Sequence, residues 1–296
     1  MSSSINSKEL NSFRRHLQLS ILLTLALLLL HNSGLATAAH SRTRYVVTRS
    51  KEPAYDRSIT TFSAEGRLLQ VEYGMEASQR GASVAAVRHQ QDNSNKIVLV
   101  VRSLEKVYRI DEHVFLAAAG LQGDSRYIAR QLRVRAMEHR IAYGEPPTVE
   151  EVAEAAAEMQ HLLSRAGGAR PLGCTAIILG IDPAPGGQLG KPKIFRTDPG
   201  GVIEEFEFCA AGQGQNQVVQ AISDNLSVSR NNSDNKKYGV SKLVKSMINA
   251  MELKNDEMAD VMIIQPDLLQ RGNMKATVFR HAKKQNLQKI QDELDT

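Results

Sequence analysis

Two patterns of apolar residues alternate in blocks along this chain. One is a short apolar run, and the other is a series of apolar positions at helical spacing. Short, nearly continuous apolar runs predict strands that are covered on both faces. The first three expected strands are 83–87, 96–101 and 114–119, and the second and third of them are such runs. Apolar positions at helical spacing follow over 124–141 and again after Thr148, where Glu151 three positions later completes a capping box. The first half of the chain therefore predicts a β block followed by two helices.

The second half has the same order of blocks and ends on further strands. Its expected strands are 174–180, 193–197, 202–211, 260–264 and 275–279. Its expected helices are 215–229 and 240–251, and a charged helix is expected at 283–296. Because each helix pair must cover a sheet, this order predicts two stacked sheets with helices outside them. The fold class we expect is α+β, a four-layer α/β/β/α sandwich with two antiparallel sheets in the middle.

Shorter features complete the expected layout. A helix is predicted over 65–80, directly before the first strand, with Ser63 as its N-cap. The polar segment 90–95 and the Gly- and Pro-containing loop 184–192 are expected to be surface insertions.

Composition excludes several classes of protein. Of 296 residues, 42% are hydrophobic and 23% are charged, which rules out wholesale disorder and a multi-span membrane protein. The 37 basic and 32 acidic residues are spread along the chain without the aromatic stretches of an RNA-binding surface, so we expect no nucleic-acid partner. The 2 cysteines cannot form a four-thiolate site and the 8 histidines contain no H-E-x-x-H pair, so we expect neither a metal nor another cofactor.

The amino terminus has the layout of a secretory signal peptide. The apolar run 17–30 follows basic residues and precedes the small residues at 36–39. Because the run is short for a bilayer-spanning helix, we expect no stable membrane anchor. The alternative that the start codon is misassigned stays open. The predicted segments are a leader (1–39), a tail (40–54), a folded domain (55–282) and a charged C-terminal helix (283–296).

The stretch 55–81 carries a far more specific pattern, YDRSITTFSAEGRLLQVEYGMEASQRG. It resembles the amino-terminal signature of proteasome α-type subunits, and nearly every fixed position of that signature is met. Further matches follow in the family's order at 106–126, 170–182 and 197–201. The resemblance implies the N-terminal-nucleophile hydrolase fold, whose α/β/β/α sandwich agrees with the layout that the residue pattern predicts.

The resemblance also bears on whether this chain cuts peptides. The related β-type subunits use an amino-terminal threonine whose own amino group acts as base, with a lysine and an aspartate nearby. The corresponding positions here are Ala82, Lys106 and Arg102, so the nucleophile and the aspartate are both replaced. Ser83 offers a hydroxyl, but its use would require removal of 65–80, the segment that defines α-type subunits. We therefore expect no catalytic residue and no enzyme activity from this chain itself.

In this family, seven α-type subunits form a ring whose amino-terminal tails close an axial pore, and pockets between neighbours accept the C-termini of activators. The positions that match the gate cluster are Tyr55, Asp56, Arg57, Ala64 and Tyr73. The positions that match the activator pocket are Lys106 and Gly66. Ala64 stands where the signature has proline, which we expect to loosen the turn. Gly74 stands where it has alanine, which we expect to weaken the helix.

The function that the resemblance implies is structural. The chain is expected to build the outer ring of a 20S-type proteasome core, to gate substrate entry and to dock activators for ubiquitin-dependent protein degradation. Its implied partners are other α-type subunits in a hetero-heptameric ring, β-type subunits, and proteasome activators or the regulatory particle. The implied location is the cytoplasm and nucleus.

Two alternatives stay open. One is a self-processed threonine- or serine-type peptidase, against which the alanine at position 82 argues. The other is a divergent scaffold or binding protein in the secretory route or a plastid-associated compartment. The leader supports this second alternative. So do the sequons Asn225-Leu226-Ser227 and Asn231-Asn232-Ser233, which would be glycosylated only in the secretory pathway.

Overall fold

The computed structural model describes residues 56–91, 94–182, 190–231, 240–251, 259–266 and 274–282, and these residues form ten strands and five α-helices. The helices are α1 (Leu69–Gln79), α2 (Gln122–Tyr143), α3 (Val149–Arg165), α4 (Gln215–Asn231) and α5 (Val240–Ala250). The strands, in order from β1 to β10, are Val84–Gln91, Ser94–Val101, Val107–Arg109, Val114–Gly120, Cys174–Ile181, Pro192–Thr197, Ile203–Glu205, Phe208–Ala211, Ala259–Pro266 and Met274–Ala282. A 3₁₀ turn, Leu104–Lys106, leads into β3.

The described strands form two antiparallel sheets of five strands each. The first has the order β10-β9-β2-β1-β8 and the second the order β3-β4-β5-β6-β7. In the β1–β2 hairpin, Gln90 pairs with Asn95 and Gln91 pairs with Ser94. The described residues of the segment 90–95, which was expected to be a surface insertion, thus continue the ladder of the hairpin.

The central strands are apolar on both faces because each sheet is covered on both faces. In β2, Ile97 and Leu99 pack between the two sheets, whereas Val98 and Val100 pack under the helices. Helices α4 and α5 cover the outer face of the first sheet, and α2 and α3 cover the outer face of the second. The predicted α+β fold class and the four-layer α/β/β/α sandwich with its antiparallel sheets are confirmed.

Helix α3 begins as the sequence predicts. Thr148 Oγ1 accepts a hydrogen bond from the Glu151 N–H at 3.2 Å, and the Thr148 N–H donates to Glu151 Oε2 at 2.7 Å. The main-chain N–H of Thr148 holds the pKa of the Glu151 carboxyl below its usual range. The Asp182 carboxylate accepts a further N–H, that of Val149, at 2.8 Å. These acceptors satisfy donors that the first turn of a helix leaves unpaired.

Helix α1 begins later than the sequence predicts. The prediction of a helix over 65–80 with Ser63 as its N-cap is wrong, since the helix starts at Leu69. Ser63 closes a separate turn, in which its carbonyl accepts from the Gly66 N–H at 2.9 Å and its hydroxyl accepts from the Arg67 N–H at 3.2 Å. Gly66 has φ +77°, a left-handed conformation that suits glycine and separates this turn from the helix.

The expected strand 202–211 is two strands in different sheets. Strand β7 pairs with β6 in the second sheet, and β8 pairs with β1 in the first. The Phe206 N–H donates to the Ile194 carbonyl at 2.8 Å, and the Glu207 carbonyl accepts from the Arg88 N–H at 2.8 Å. Consecutive residues thus bond to opposite sheets, and the chain crosses between the layers at this point.

The predicted leader (1–39), tail (40–54) and C-terminal helix (283–296) lie outside the described residues, as does most of the loop predicted at 184–192. Those segment boundaries stay predictions. Among the helices that the structure describes, none combines the length and the apolar character needed to cross a bilayer.

Candidate functional site

Backbone segments that contain Gly81, Gly120 and Gly173 meet at the start of β1, which the resemblance aligns with the nucleophile position of β-type subunits. Gly81 lies against Gly120 at the end of β4, so closely that a Cβ on Gly81 would sit 2.0 Å from the Gly120 nitrogen. Gly120 has φ +116°, and a Cβ there would sit 2.2 Å from the Gly173 carbonyl oxygen. Any larger residue at either position would overlap main-chain atoms. The strand start is therefore closed on this side by backbone.

The loop before α4 covers the other side of the strand start. The Gln213 N–H donates to the Gly81 carbonyl at 2.9 Å, and the Ser83 hydroxyl donates to the Gln213 carbonyl at 2.5 Å. Gly212 permits this approach, because a Cβ there would sit 2.7 Å from the Ala82 carbonyl oxygen. Ser83 is 1% exposed, and its proton is committed to a main-chain carbonyl. Ala82 itself contributes only a methyl group.

Arg102 occupies the end of β2, where the β-type pattern has an aspartate. Its N–H donates to the Ser83 carbonyl at 3.1 Å. Its guanidinium donates to the Met251 carbonyl at 2.8 Å and to Gln213 Oε1 at 3.3 Å. A cation beside the last residues of α5 complements the partial negative charge of a helix C-terminus. Arg102 thus joins β2, the Gln213 loop and the end of α5, and it supplies no carboxylate to the strand start.

Lys106 reaches the same region from the turn before β3. Its Nζ donates to the Gly120 carbonyl at 2.6 Å, and its side chain is half-buried. Burial lowers the pKa of the Lys106 ammonium below its usual range. Beside it, Glu105 Oε2 accepts from Gln122 Nε2 at 3.1 Å, at the start of α2. A cation fixed in place next to the amino terminus of a helix is suited to binding a carboxylate.

The two cysteines are poor nucleophiles in this fold. Cys174 and Cys209 are both free and buried. Burial raises the pKa of each thiol to about 12, so the reactive thiolate is scarce at neutral pH. Within the residues that the structure describes, no three His, Cys, Asp or Glu side chains come together to hold a metal ion.

An ion pair and an exposed tyrosine mark the surface at the start of α1. Arg67 donates to both carboxylate oxygens of Glu72, with Nε to Oε1 at 2.7 Å. Tyr73, the next residue of the helix, is 52% exposed. Asp56 joins this surface through its main-chain carbonyl, which accepts from the Gln70 side-chain amide. Its carboxylate takes no part in that contact.

The other residues expected at the gate lie in the same segment, whereas the expected pocket residues are split between two elements. Arg57 is exposed, and Ala64 is exposed at the second position of the Ser63 turn. Gly66 ends that turn, while Lys106 lies beside Gly120. Tyr55 lies outside the described residues.

Gly74 has a packing role that the sequence did not reveal. A Cβ on this residue would lie 3.3 Å from the Pro199 Cβ and 3.4 Å from the Pro171 Cβ. Helix α1 therefore approaches both prolines closely at Gly74. The expectation that glycine merely weakens the helix is incomplete, because a larger residue would press on these neighbours.

A second ion pair, which the sequence did not predict, holds the segment of Gly173 that lies against Gly120. The Asp124 carboxylate accepts from the Arg170 guanidinium at 2.7 and 2.8 Å and from the Gly173 N–H at 2.8 Å. Burial raises the pKa of Asp124, but the bonds from Arg170 and Gly173 outweigh it and hold that pKa below its usual range. The sequence signal was only an acidic residue in the first turn of a helix, where any carboxylate is favoured.

Comparison with known proteins shows the family of this chain. Residues 79–264 match the proteasome subunit family, and residues 55–77 match the N-terminal signature of its A-type subunits. The chain is 36% identical over 173 residues to the proteasome alpha subunit of Archaeoglobus fulgidus, which covers 56% of this chain and 68% of that protein. It is 34% identical over 183 residues to the type-7 proteasome alpha subunit of Cicer arietinum, which covers 58% of this chain and 70% of that protein. The chain therefore belongs to the proteasome subunit family and carries the amino-terminal signature of its α-type members.

Proposed function

We propose that this chain is a non-catalytic α-type subunit in the outer ring of a 20S-type proteasome core. The observation that carries the proposal is the closed strand start beside the α-type signature. Ala82 has no nucleophilic atom, and its neighbours Gly81 and Ser83 are both hydrogen-bonded to Gln213. A chain built in this way has a structural role through its contacts with other subunits, and other subunits cleave the peptides.

The outward face of α2 supports a role in assembly. Tyr127, Val134 and Ile141 are spaced by seven residues and lie opposite the side of the helix that packs on the second sheet. All three are exposed, Ile141 by 78%, and Met137 and Arg130 are exposed beside them. Exposed aromatic and aliphatic side chains with arginine are typical of protein interfaces. We assign this face to contact with a neighbouring α-type or β-type chain.

We place the gate on the segment that leads into α1. The predicted tail (40–54) runs directly into Tyr55, Asp56 and Arg57, and Tyr73 is exposed beside the Arg67–Glu72 pair. Ordered tails would use these hydrogen-bonding groups when the pore is open. Ala64 lacks the fixed φ of proline at its turn position, which lowers the folding stability of this turn by up to about 1 kcal/mol.

We place activator docking at Lys106, with Gly66 as the second expected contributor. Lys106 is held by the Gly120 carbonyl, so its ammonium is positioned before any ligand arrives. A terminal carboxylate of an activator is the chemical group that this cation would take. Degradation of ubiquitin-tagged protein, in the cytoplasm and nucleus, would be a property of the whole particle.

Affinity purification of the tagged chain, with mass spectrometry of the co-eluting proteins, tests this proposal. We expect other α-type subunits together with β-type subunits in comparable amounts. Elution of the chain without proteasome subunits would contradict the proposal. Elution with secretory or plastid proteins instead would favour the alternative of a scaffold.

A further inference from the structure

Asn225 has the sequence context of a glycan acceptor, but its side chain is part of a contact between helices. It lies in α4, and its Nδ2 donates to the Ala221 carbonyl at 2.6 Å and to Ser246 Oγ at 2.5 Å. Ser246 belongs to α5, and its hydroxyl donates to the same Ala221 carbonyl at 3.2 Å. A primary amide nitrogen carries two protons, so both protons of Asn225 are engaged where the two helices meet.

The rest of the sequon is also built into the helix. Leu226 packs against the core that α4 and α5 share with the first sheet. Ser227 is exposed, and its hydroxyl donates to the Asp224 carbonyl at 2.9 Å within the same helix. Glycans are bulky and need a surface position. In the folded protein, therefore, the serine of the sequon is exposed, whereas both protons of the acceptor nitrogen are engaged in hydrogen bonds.

The chemistry of glycan transfer conflicts with this contact. Transfer forms a bond between C1 of the sugar and Nδ2, and it breaks the bond between C1 and the phosphate of a lipid pyrophosphate-linked oligosaccharide. The lipid pyrophosphate leaves, and Nδ2 gives up one proton. A modified Asn225 keeps a single N–H, so it cannot donate to both Ala221 and Ser246, and the sugar would occupy the space of one of them.

We infer that Asn225 is a glycan acceptor only in the unfolded chain, because its amide nitrogen can serve either the α4–α5 contact or a glycan. Once the chain has folded, the site is closed. A chain that enters a glycosylating compartment unfolded is modified there, and its α5 packs less stably against α4, because Asn225 loses at least one of its two bonds at their contact. This inference does not depend on membership of a ring, and it disfavours the secretory destination that the leader suggests.

Glycan occupancy at Asn225 tests the inference, in a Ser233→Ala background that removes the second sequon. In one arm the full chain is translated into microsomes behind a cleavable secretory signal. In the other arm the purified, folded chain is incubated with the same solubilised transferase and lipid-linked oligosaccharide. We expect peptide mapping to find Asn225 occupied in the first arm and unmodified in the second. Occupancy in the folded chain, or in neither arm, would overturn the inference.

A second measurement examines the consequence for folding. In the same Ser233→Ala background, Ser227→Ala removes the remaining sequon while leaving the hydrogen bonds of Asn225 in place, so it is the matched control. We expect the glycosylated chain from microsomes to be digested rapidly by added protease, and the Ser227→Ala chain from the same microsomes to resist digestion. Equal resistance of the two chains would overturn the inference, because the glycan would then be compatible with the α4–α5 contact.

Discussion

Lys106 and Gly81 both lie against one residue, Gly120. The Lys106 ammonium holds the Gly120 carbonyl at 2.6 Å, and Gly81 lies so close to the Gly120 nitrogen that a Cβ would overlap it at 2.0 Å. The proposed docking residue and the closed strand start therefore share a peptide segment. A change at either residue is expected to affect the packing of the other.

Replacing Lys106 tests the first half of this relationship. We expect Lys106→Met to lower the free energy of unfolding by about 1–2 kcal/mol, because a charge-assisted hydrogen bond to a main-chain carbonyl is lost. Lys106→Arg keeps a cation and should lose less. Urea unfolding of the purified chains measures both, with Lys96→Met, on β2 of the other sheet, as a control for loss of a lysine side chain. An unchanged midpoint for Lys106→Met would contradict the role given to this bond.

Replacing Gly81 tests the second half. Gly81→Ala would force a methyl group into the Gly120 backbone, and we expect a loss of about 1–3 kcal/mol from the free energy of unfolding. Gly123→Ala is the control, because a Cβ there meets nothing within 4 Å. Alanine in that helical position should instead stabilise the protein by about 0.5–1 kcal/mol. Thermal unfolding of the two variants should therefore shift in opposite directions, and a neutral Gly81→Ala would show that the strand start has spare room.

The Asp124–Arg170 pair predicts a component of acid sensitivity. The pKa of Asp124 is lower in the folded chain than in the unfolded chain, so on acidification the unfolded state takes up its proton first. The stability that Asp124 contributes is complete above its unfolded pKa of about 4 and is lost as the pH falls through the folded value. We expect Asp124→Asn to be less stable than the parent at pH 7, with a smaller difference at acid pH. Unfolding midpoints measured between neutral and acid pH check this, and parallel curves for the two proteins would contradict it.

The outer face of α2 predicts a variant that folds but does not assemble. We expect the double substitution Val134→Glu and Ile141→Glu to abolish co-elution with other proteasome subunits, because two carboxylates would be desolvated in the interface. Both positions are exposed in the single chain, so its thermal unfolding should change little. Glu138→Gln, on the same helix, leaves the apolar face intact and should assemble normally. Retained co-elution by the double variant would remove this face from the proposed contacts.

The sequence predicted the layers well because both of its signals were local. Nearly continuous apolar runs such as 96–101 require covering on both faces, and the order of two strand blocks and two helix pairs favours two stacked sheets between helix layers. The capping box of Thr148 and Glu151 was equally local, and the helix begins where it predicts. Composition and motif spacing were sufficient at these positions because neighbouring residues determine the structure.

The sequence failed at one local turn and at positions where distant residues decide. The local turn is that of Ser63, which has the sequence features of an N-cap, but the left-handed Gly66 three residues later turns the chain before a helix can start. The chain crosses between the sheets at Phe206 and Glu207 because their main-chain hydrogen-bond partners lie in different sheets. Where those partners lie is decided only when the two sheets assemble. The hydrogen bonds of Arg102 to Gln213 and Met251 join positions more than a hundred residues apart in sequence, and no spacing rule could have predicted them.

Peptide hydrolysis by the isolated chain tests the central claim most directly. The purified single chain should show no activity towards fluorogenic peptides, and Ser83→Ala should leave the activity of the assembled particle unchanged, because Ser83 donates its proton to the Gln213 carbonyl and attacks nothing. Hydrolysis by the isolated chain that disappears on Ser83→Ala would contradict the claim that this subunit has no catalytic nucleophile.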